Sequence, residues 1–589
     1  MAVVVFYTDK VRKALAAPAS VGVELFVLAG IAAVVGGLAI MARQASSPMH
    51  ERVPIDLSAW ALPKYTALTL LRGCAAYILS LVFTLVYGTV AAHNRRAEKV
   101  MIPTLDVLQA LPVLSFLPGL VLALVHLFPR REIGLELACV LTIFTGQVWN
   151  MTFSFFGSLR GIPSTLREAA TIQHLDGWQV FKILEVPASM IGLVWNSMMS
   201  MAGGWFFIAT VEAFTLKGQD YRLPGLGSYM SEAIQQGNVH AQVFAVLAMI
   251  LMIVIVDQMI WRPIVVWSER YKLEDISATD VPRSWVINLF GKSRLLRWVR
   301  RVIYHWTHAR QEKETAGLEV NPDQSAAELR GRIWAMIATP LQYMVLGALA
   351  IGSLWGCWEL LGLLRQVHFL SPDHDDWLHI FLALFASLLR VMVALAIGAA
   401  WTLPAGILIG LNPRWSQRLQ PVVQVVASYP APMLFPLLIG LLVVLHIPFT
   451  IGCITLILLG TQWYVLFNVI AGAMAIPSDL REAARVYHFS TWYTWRKLYI
   501  PAVFPFLVTG LVTAAGGAWN ATIVAEYQQV KGVTYDAFGL GSIIFKTSDN
   551  NFPVLAASVI VMAFFVVTIN RLIWKKLYRV AEARFSLNL

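Results

Sequence analysis

The sequence predicts an all-α polytopic membrane protein, with about 12 transmembrane helices laid out as two parallel six-helix repeats. Three observations predict this. The chain of 589 residues is 58% hydrophobic and only 13% charged, with a mean hydropathy of +0.65, whereas a soluble chain carries about 25% charged residues. Its apolar runs reach or exceed about 20 residues, enough to carry an α-helix across the hydrocarbon core, and helices or closed barrels are the only backbones that satisfy their polar groups in lipid. Finally, Arg167-Glu168-Ala169-Ala170 returns 314 residues later as Arg481-Glu482-Ala483-Ala484. The same interval carries Trp205 onto Trp519, Glu212 onto Glu526, and Gly225-Leu226-Gly227 onto Gly539-Leu540-Gly541. A fixed interval held over that length is an internal duplication.

The first repeat, 1–266, reads as spans at 20–42, 65–92, 106–128, 134–157, 189–214 and 240–266. Its first run follows a basic patch (Lys10, Arg12, Lys13) and is long for a signal-peptide core, so it reads as a retained anchor. The second repeat, 333–589, reads as spans at 333–360, 380–411, 421–446, 448–472, 502–525 and 553–574. An even number of spans per repeat makes the halves parallel, related by an axis along the membrane normal. Between them, 267–332 is a basic cytoplasmic linker. Its segment Lys292–Arg310 holds six basic residues and no acid, with Leu295, Trp298, Val302 and Trp306 at helical spacing. That pattern predicts an amphipathic helix on the anionic inner leaflet, against the plainer alternative of a solvated linker.

The net charge of +11 is not a nucleic-acid signature, because the basic residues flank hydrophobic spans. With both termini cytoplasmic, the inner segments collect Arg95, Arg96, Lys99, Arg160, Arg167, Lys182, Arg414, Arg418, Arg481, Arg485, Arg496 and Lys497, while the outer loop near Asp373, Asp375 and Asp376 is acidic. Arg130 and Arg131 stand against the trend. The bias places both Arg-Glu-Ala-Ala loops in the cytoplasm of a bacterial inner-membrane protein. The cysteines, Cys74, Cys139, Cys357 and Cys453, lie in apolar segments and read as small buried hydrophobes. Gly291-Lys292-Ser293 imitates the end of a phosphate-binding loop, but Val286 occupies the place of the required glycine. No enzyme chemistry, metal site or cofactor of the chain's own is therefore expected; any ATP and Mg would be bound by a partner.

Each Glu-Ala-Ala is preceded by Ile-Pro (Ile162-Pro163, Ile476-Pro477) and followed by a second proline (Pro187, Pro501) before the next span. These loops resemble the EAA loop of ABC-importer permeases. The resemblance implies that Arg167, Glu168, Ala169, Ala170 and their copies Arg481, Glu482, Ala483, Ala484 form short coupling helices that dock cytoplasmic ATPase subunits. A glutamate at the helix start would favour the dipole, and paired alanines would make a slim face. The glycine usual in that loop is His174 in one copy and His488 in the other. That change puts the following turn in question and opens a pH-sensitive reading beside the plain one. Ala515-Gly516-Gly517-Ala518-Trp519 with Glu526, echoed by Ala202-Gly203-Gly204-Trp205 with Glu212, further resembles the nitrate/sulfonate/taurine-type importer permeases, as do Arg72 and Arg390. Two permease domains would here be fused in one polypeptide.

Polar residues inside spans are pathway candidates by default. They are Gln147, Asn150 and Asn196 in the first repeat and Gln462, Asn468 and Asn520 in the second, with Trp205, Trp519, Arg72, Arg390, Glu212 and Glu526. The competing reading is structural, with helix–helix hydrogen bonds and Arg–Glu salt bridges. What the resemblance implies is a permease subunit that moves a small oxyanion or organosulfonate by alternating access. Cytoplasmic ABC ATPases and a periplasmic or lipid-anchored binding protein would be its partners. An ion-driven secondary transporter with parallel repeats would need charged relays at span centres, which are few; a non-pumping scaffold or channel is the other rival.

Overall fold

The computed structural model describes residues 21–47, 54–129, 131–173, 175–216, 219–271, 286, 293, 351–352, 354–370, 376–530 and 532–585. All of the expected amphipathic segment 292–310 but Ser293, most of the linker and His174 lie outside them, as does most of the span expected at 333–360. The chain divides into two units, residues 1–36 with 280–366 and residues 37–279 with 367–589. In the smaller unit Ser293 Oγ donates to Glu24 Oε2 at 3.1 Å.

The larger unit holds most of both repeats. In the first, α1 (Val21–Ala45) enters it from Gly37 onward and is followed by α2 (Leu62–His93), α3 (Arg95–Ala110), α4 (Leu117–Leu127) and α5 (Ile133–Arg160). Next come α6 (Ser164–Ile172), α7 (Gly177–Val211), a hairpin of β1 (Thr215–Leu216) and β2 (Gln219–Asp220), α8 (Leu226–Gln235) and α9 (Val239–Ser268). A short apolar helix, α10 (Leu354–Leu364), belongs to the smaller unit. The second repeat restates the order: α11 (Trp377–Leu411), α12 (Pro413–Ser428), α13 (Phe435–Val444), α14 (Phe449–Met474), α15 (Ser478–Val486), α16 (Thr491–Ala525), hairpin β3 (Tyr527–Val530) and β4 (Val533–Asp536), α17 (Leu540–Asn550) and α18 (Phe552–Ala581).

Among the described residues nine helices are long and apolar enough to cross a membrane, or ten if a bent pair counts as one span. The expected third spans are the difference. Residues 106–128 do not form one helix: α3 ends at Ala110 and α4 starts at Leu117. Residues 421–446 are bent by 82° between Ser428 and Ala431. The cause is local. Leu111-Pro112 and Tyr429-Pro430 stand at matching places, and a residue before proline is pushed out of the α region. Leu111 and Tyr429 accordingly have ψ near 130°.

The repeat is closer than one interval shows. In α2–α4 the interval is 318, pairing Thr69 with Ser387, Arg72 with Arg390 and Asn94 with Asn412. Asn94 caps α3 by accepting from the Arg96 and Ala97 amides, and Asn412 caps α12 from Arg414 and Trp415. From α5 to the Gly-Leu-Gly turns it is 314, which puts Cys139 on Cys453, and from the caps Asn238 and Asn551 onward it is 313. The four residues lost lie between α13 and α14. π-helical turns recur at the same places, Phe181–Glu185 with Trp495–Tyr499, and Asp257–Trp261 with Asn570–Trp574.

The helices bury one another through small residues. A Cβ on Gly73 would come within 2.8 Å of the Trp205 ring, and one on Gly406 within 2.6 Å of Val469. Close backbone approach of this kind holds helices together in lipid, where no hydrophobic effect separates helix from solvent.

Candidate coupling surface and translocation site

Both Arg-Glu-Ala-Ala phrases lie on short helices with the same entry geometry. Pro163 and Pro477 each precede their helix with φ −55° and ψ 140°. The glutamates are exposed. Two expectations about them change. Glu168 and Glu482 stand at the fifth residue of α6 and α15, not at the start, so the helix dipole does not explain them. The alanines do not face out together either: Ala170 and Ala484 are buried against the bundle, while Ala169 is exposed. The face turned outward carries glutamate, Leu166 or Leu480, and Ile172 or Val486. Arg167 turns back, its Nη2 donating to the Leu159 carbonyl at 2.6 Å.

His488 explains the glycine that the resemblance calls for. Its φ is 51°, in the left-handed region. The Phe489 amide donates to the Ala484 carbonyl and the His488 amide to that of Arg485, the bond pattern of a Schellman C-cap, whose left-handed position favours glycine. The first repeat has the matching Leu175 amide to Ala170 carbonyl bond.

The two Arg-Glu-Ala-Ala helices share one end of the larger unit. α2 starts beside the first hairpin side, where Tyr229 Oη donates to the Leu57 carbonyl, and ends at His93, which pairs with Glu185 at 2.9 Å just past α6. Lys575, near the end of α18 remote from the second hairpin, pairs with Asp106 of α3 at 3.5 Å. The hairpins therefore mark one end and α6 and α15 the other.

Arg72, Glu212, Arg390 and Glu526 form two matching nodes below the hairpins. Arg72 is fully buried; its Nη1 donates to Glu212 Oε1 at 2.7 Å, and its Nε and Nη2 donate to both oxygens of Glu136 at 2.7 Å. Glu212 also accepts from Thr69 Oγ1 and the Gly227 amide. Arg390 Nη1 donates to Glu526 Oε1 at 2.8 Å, and Glu526 accepts from Ser387 Oγ and the Gly541 amide. The Gly-Leu-Gly turns wrap these carboxylates: a Cβ on Gly225 or Gly539 would fall inside the glutamate. This is the salt-bridge arrangement, and it satisfies charges that would otherwise be costly in a low dielectric.

The remaining pathway candidates mostly bond within their own repeat. Gln147 packs on Gly204 and its Nε2 reaches Met201 Sδ at 3.6 Å. Asn150 Oδ1 accepts from Gln109, Asn196 Nδ2 donates to Ser154 Oγ, Gln462 Oε1 accepts from Trp401 Nε1, and Asn468 Nδ2 donates to the Tyr464 carbonyl. Trp205 and Trp519 are core residues, 2% and 3% exposed. Asn520 alone of the candidates lines the cavity between the repeats. Its Oδ1 accepts from the Leu114 amide at 3.3 Å, which ties the α3–α4 break to the other half.

That cavity has a volume of about 40 Å³ and is walled by Phe206, Phe207, Tyr429, Trp463 and Tyr464, with Gly203, Gly460 and Gly517 giving it room. Tyr429 Oη is buried without a partner among the described residues. Sequence reasoning took the polar residues and the tryptophans that follow the glycine pairs, and so missed these aromatics. The usable signal was position: Trp463 and Tyr464 follow Gln462 on α14, and the helical step turns them toward the other repeat while Gln462 turns to Trp401.

The fold and its paired sites define a helical membrane permease subunit made of two fused repeats. The chain belongs to the binding-protein-dependent transport system inner membrane components, whose sequence model matches residues 84–260 and again 402–572, together more than half of the chain. Over 208 residues, 33% of the chain, it is 26% identical to the nitrate import permease protein NrtB of Leptolyngbya laminosa, covering 73% of that protein. Over 173 residues, 29% of the chain, it is 30% identical to the bicarbonate transport system permease protein CmpB of Synechococcus elongatus, covering 59% of it. Over 212 residues, 35% of the chain, it is 28% identical to the trimethylamine N-oxide transport system permease protein TmoV of Pelagibacter ubique, covering 27% of it.

Proposed function

We propose that this chain is the complete pair of transmembrane domains of an ATP-driven importer for a small oxyanion or organosulfonate. The observation that carries the reading is the pair of coupling helices, alike in cap geometry and exposed at one end of the bundle. Two ABC ATPase subunits, a like pair or a heteropair, dock on Glu168 and Glu482 from the cytoplasm and supply the ATP and Mg chemistry. A binding protein delivers solute at the hairpin end, which faces the periplasm, and both termini lie inside. ATP binding favours the closed ATPase pair; α6 and α15 transmit that preference as a shift between inward- and outward-facing states. The solute passes the interface between repeats, where Asn520, Tyr429 and the aromatic walls supply neutral donors and apolar faces. Relatives named for nitrate and bicarbonate transport support the oxyanion class.

The test is Glu168→Ala with Glu482→Ala in the full transporter. Loss of ATPase co-purification, or of ATP-driven uptake with binding protein present, is the expected result. Uptake at the wild-type rate removes the docking assignment.

A further inference from the structure

We propose that the second repeat holds a small planar oxyanion on Arg390, in the place that a glutamate side chain fills in the first. The duplication supplies the comparison. In the first repeat, Nη1 of Arg72 holds Glu212, and the fork of Nε and Nη2 is closed by both oxygens of Glu136. In the second, Nη1 of Arg390 holds Glu526, but among the described residues no acceptor meets its Nε or Nη2. The interval that sets Cys139 on Cys453 sets Glu136 on Thr450, so the closing carboxylate is missing. Thr450 is exposed on the first turn of α14, and the Arg390 side chain keeps 8% exposure, so the fork is nearly buried yet reachable. The acid on the second hairpin, Asp536, is occupied by Ser542 and Lys546.

A guanidinium edge shielded from most of the solvent and met by no acceptor finds its strongest match in a bidentate carboxylate-like partner. The first repeat shows that a node of this kind accepts a second carboxylate: the Thr69, Glu212 and Gly227 bonds match those of Ser387, Glu526 and Gly541. The geometry selects a planar monoanion with two oxygens on one edge, such as a carboxylate, nitrate or hydrogencarbonate. Chloride meets the fork with a single atom and cannot make the two parallel bonds that a pair of oxygens makes. The bound anion ties α11 to the start of α14 as Glu136 ties α2 to α5. The proposal does not depend on which solute is carried.

The experiment titrates the purified full chain in lipid nanodiscs with sodium nitrate and sodium formate, with sodium chloride at equal ionic strength as control. Calorimetry and thermal unfolding are the readouts. Saturable binding of one nitrate or formate, with a rise in Tm that chloride does not give, is expected. Thr450→Glu supplies a tethered carboxylate: it should weaken nitrate binding at least tenfold while unfolding at or above the wild-type temperature without added anion. Arg390→Gln should weaken binding equally; should that variant fail to fold, Thr450→Glu decides. Absence of saturable binding, or a Thr450→Glu chain that binds nitrate as the wild type does, overturns the proposal.

Discussion

Arg72→Met should be among the most destabilising single changes in this chain, and more so than Arg390→Met. Arg72 is fully buried and its guanidinium satisfies two carboxylates and the Pro224 carbonyl. Removing one member of a buried ion pair costs about 3–5 kcal/mol, because the partner is left charged and desolvated. After Arg72→Met, Glu212 keeps Thr69 and the Gly227 amide, but the Glu136 carboxylate keeps no bond among the described residues. The loss should therefore reach or exceed about 5 kcal/mol. After Arg390→Met only Glu526 is orphaned, and it retains Ser387 and the Gly541 amide, so the loss should lie near 3 kcal/mol. Adding Glu136→Leu to Arg72→Met removes the worst orphan and should restore about half the loss, since an apolar replacement of a buried ion pair is commonly tolerated. Thermal or denaturant unfolding of the purified chain in nanodiscs, in chloride buffer, reads all three variants. Equal losses at Arg72 and Arg390, or no recovery with Glu136→Leu, would refute the account of the node.

Two further changes probe local geometry. His488→Gly should stabilise the end of α15 by up to about 1 kcal/mol, because a non-glycine residue at φ 51° bears a left-handed penalty; slower amide exchange at Tyr487–Phe489 would register it, and His488→Val should speed that exchange. Gly539→Ala places a methyl group inside the Glu526 carboxylate and should lower Tm by several degrees, whereas Gly440→Ala, with nothing within 4 Å of its new Cβ, should leave Tm unchanged.

Most of the fold was legible because a membrane span announces itself by length and oiliness, and because the repeat allowed each half to check the other. The third spans were not, since hydropathy sums over a window and does not register the turn that Leu111-Pro112 and Tyr429-Pro430 impose. At the site, a motif search finds chemistry that must recur at fixed spacing, so Arg167-Glu168 and Glu212 with its Gly-Leu-Gly stood out. The direction of each side chain was hidden. Asn150, Asn196 and Gln462 are as polar as Asn520, yet only the rotation of α16 against the other repeat brings Asn520 to the cavity. Glu136 escaped notice for a different reason: the charged residues singled out, Arg72 with Arg390 and Glu212 with Glu526, are those that recur, and Glu136 has Thr450 as its counterpart.

That contrast between copied and uncopied positions separates two kinds of work in the molecule. Whatever must respond to a two-fold partner has reason to be the same twice, and the Arg-Glu-Ala-Ala helices, their proline entries and the Gly-Leu-Gly turns that wrap Glu212 and Glu526 are the same twice. The cavity between repeats is not. Asn520 answers to Phe206, Tyr429 to Leu111 and Tyr464 to Asn150, so its polar atoms gather on one side of the axis. A pair of identical chains would have to place any such residue at both positions, and an amide facing its own copy across so small a space would compete with the solute for bonds. Joining the repeats in one chain removes that constraint. The fusion thus lets two like helix knuckles stand with an unlike cavity, where the Leu114–Asn520 bond holds the broken helix of one half against the wall of the other.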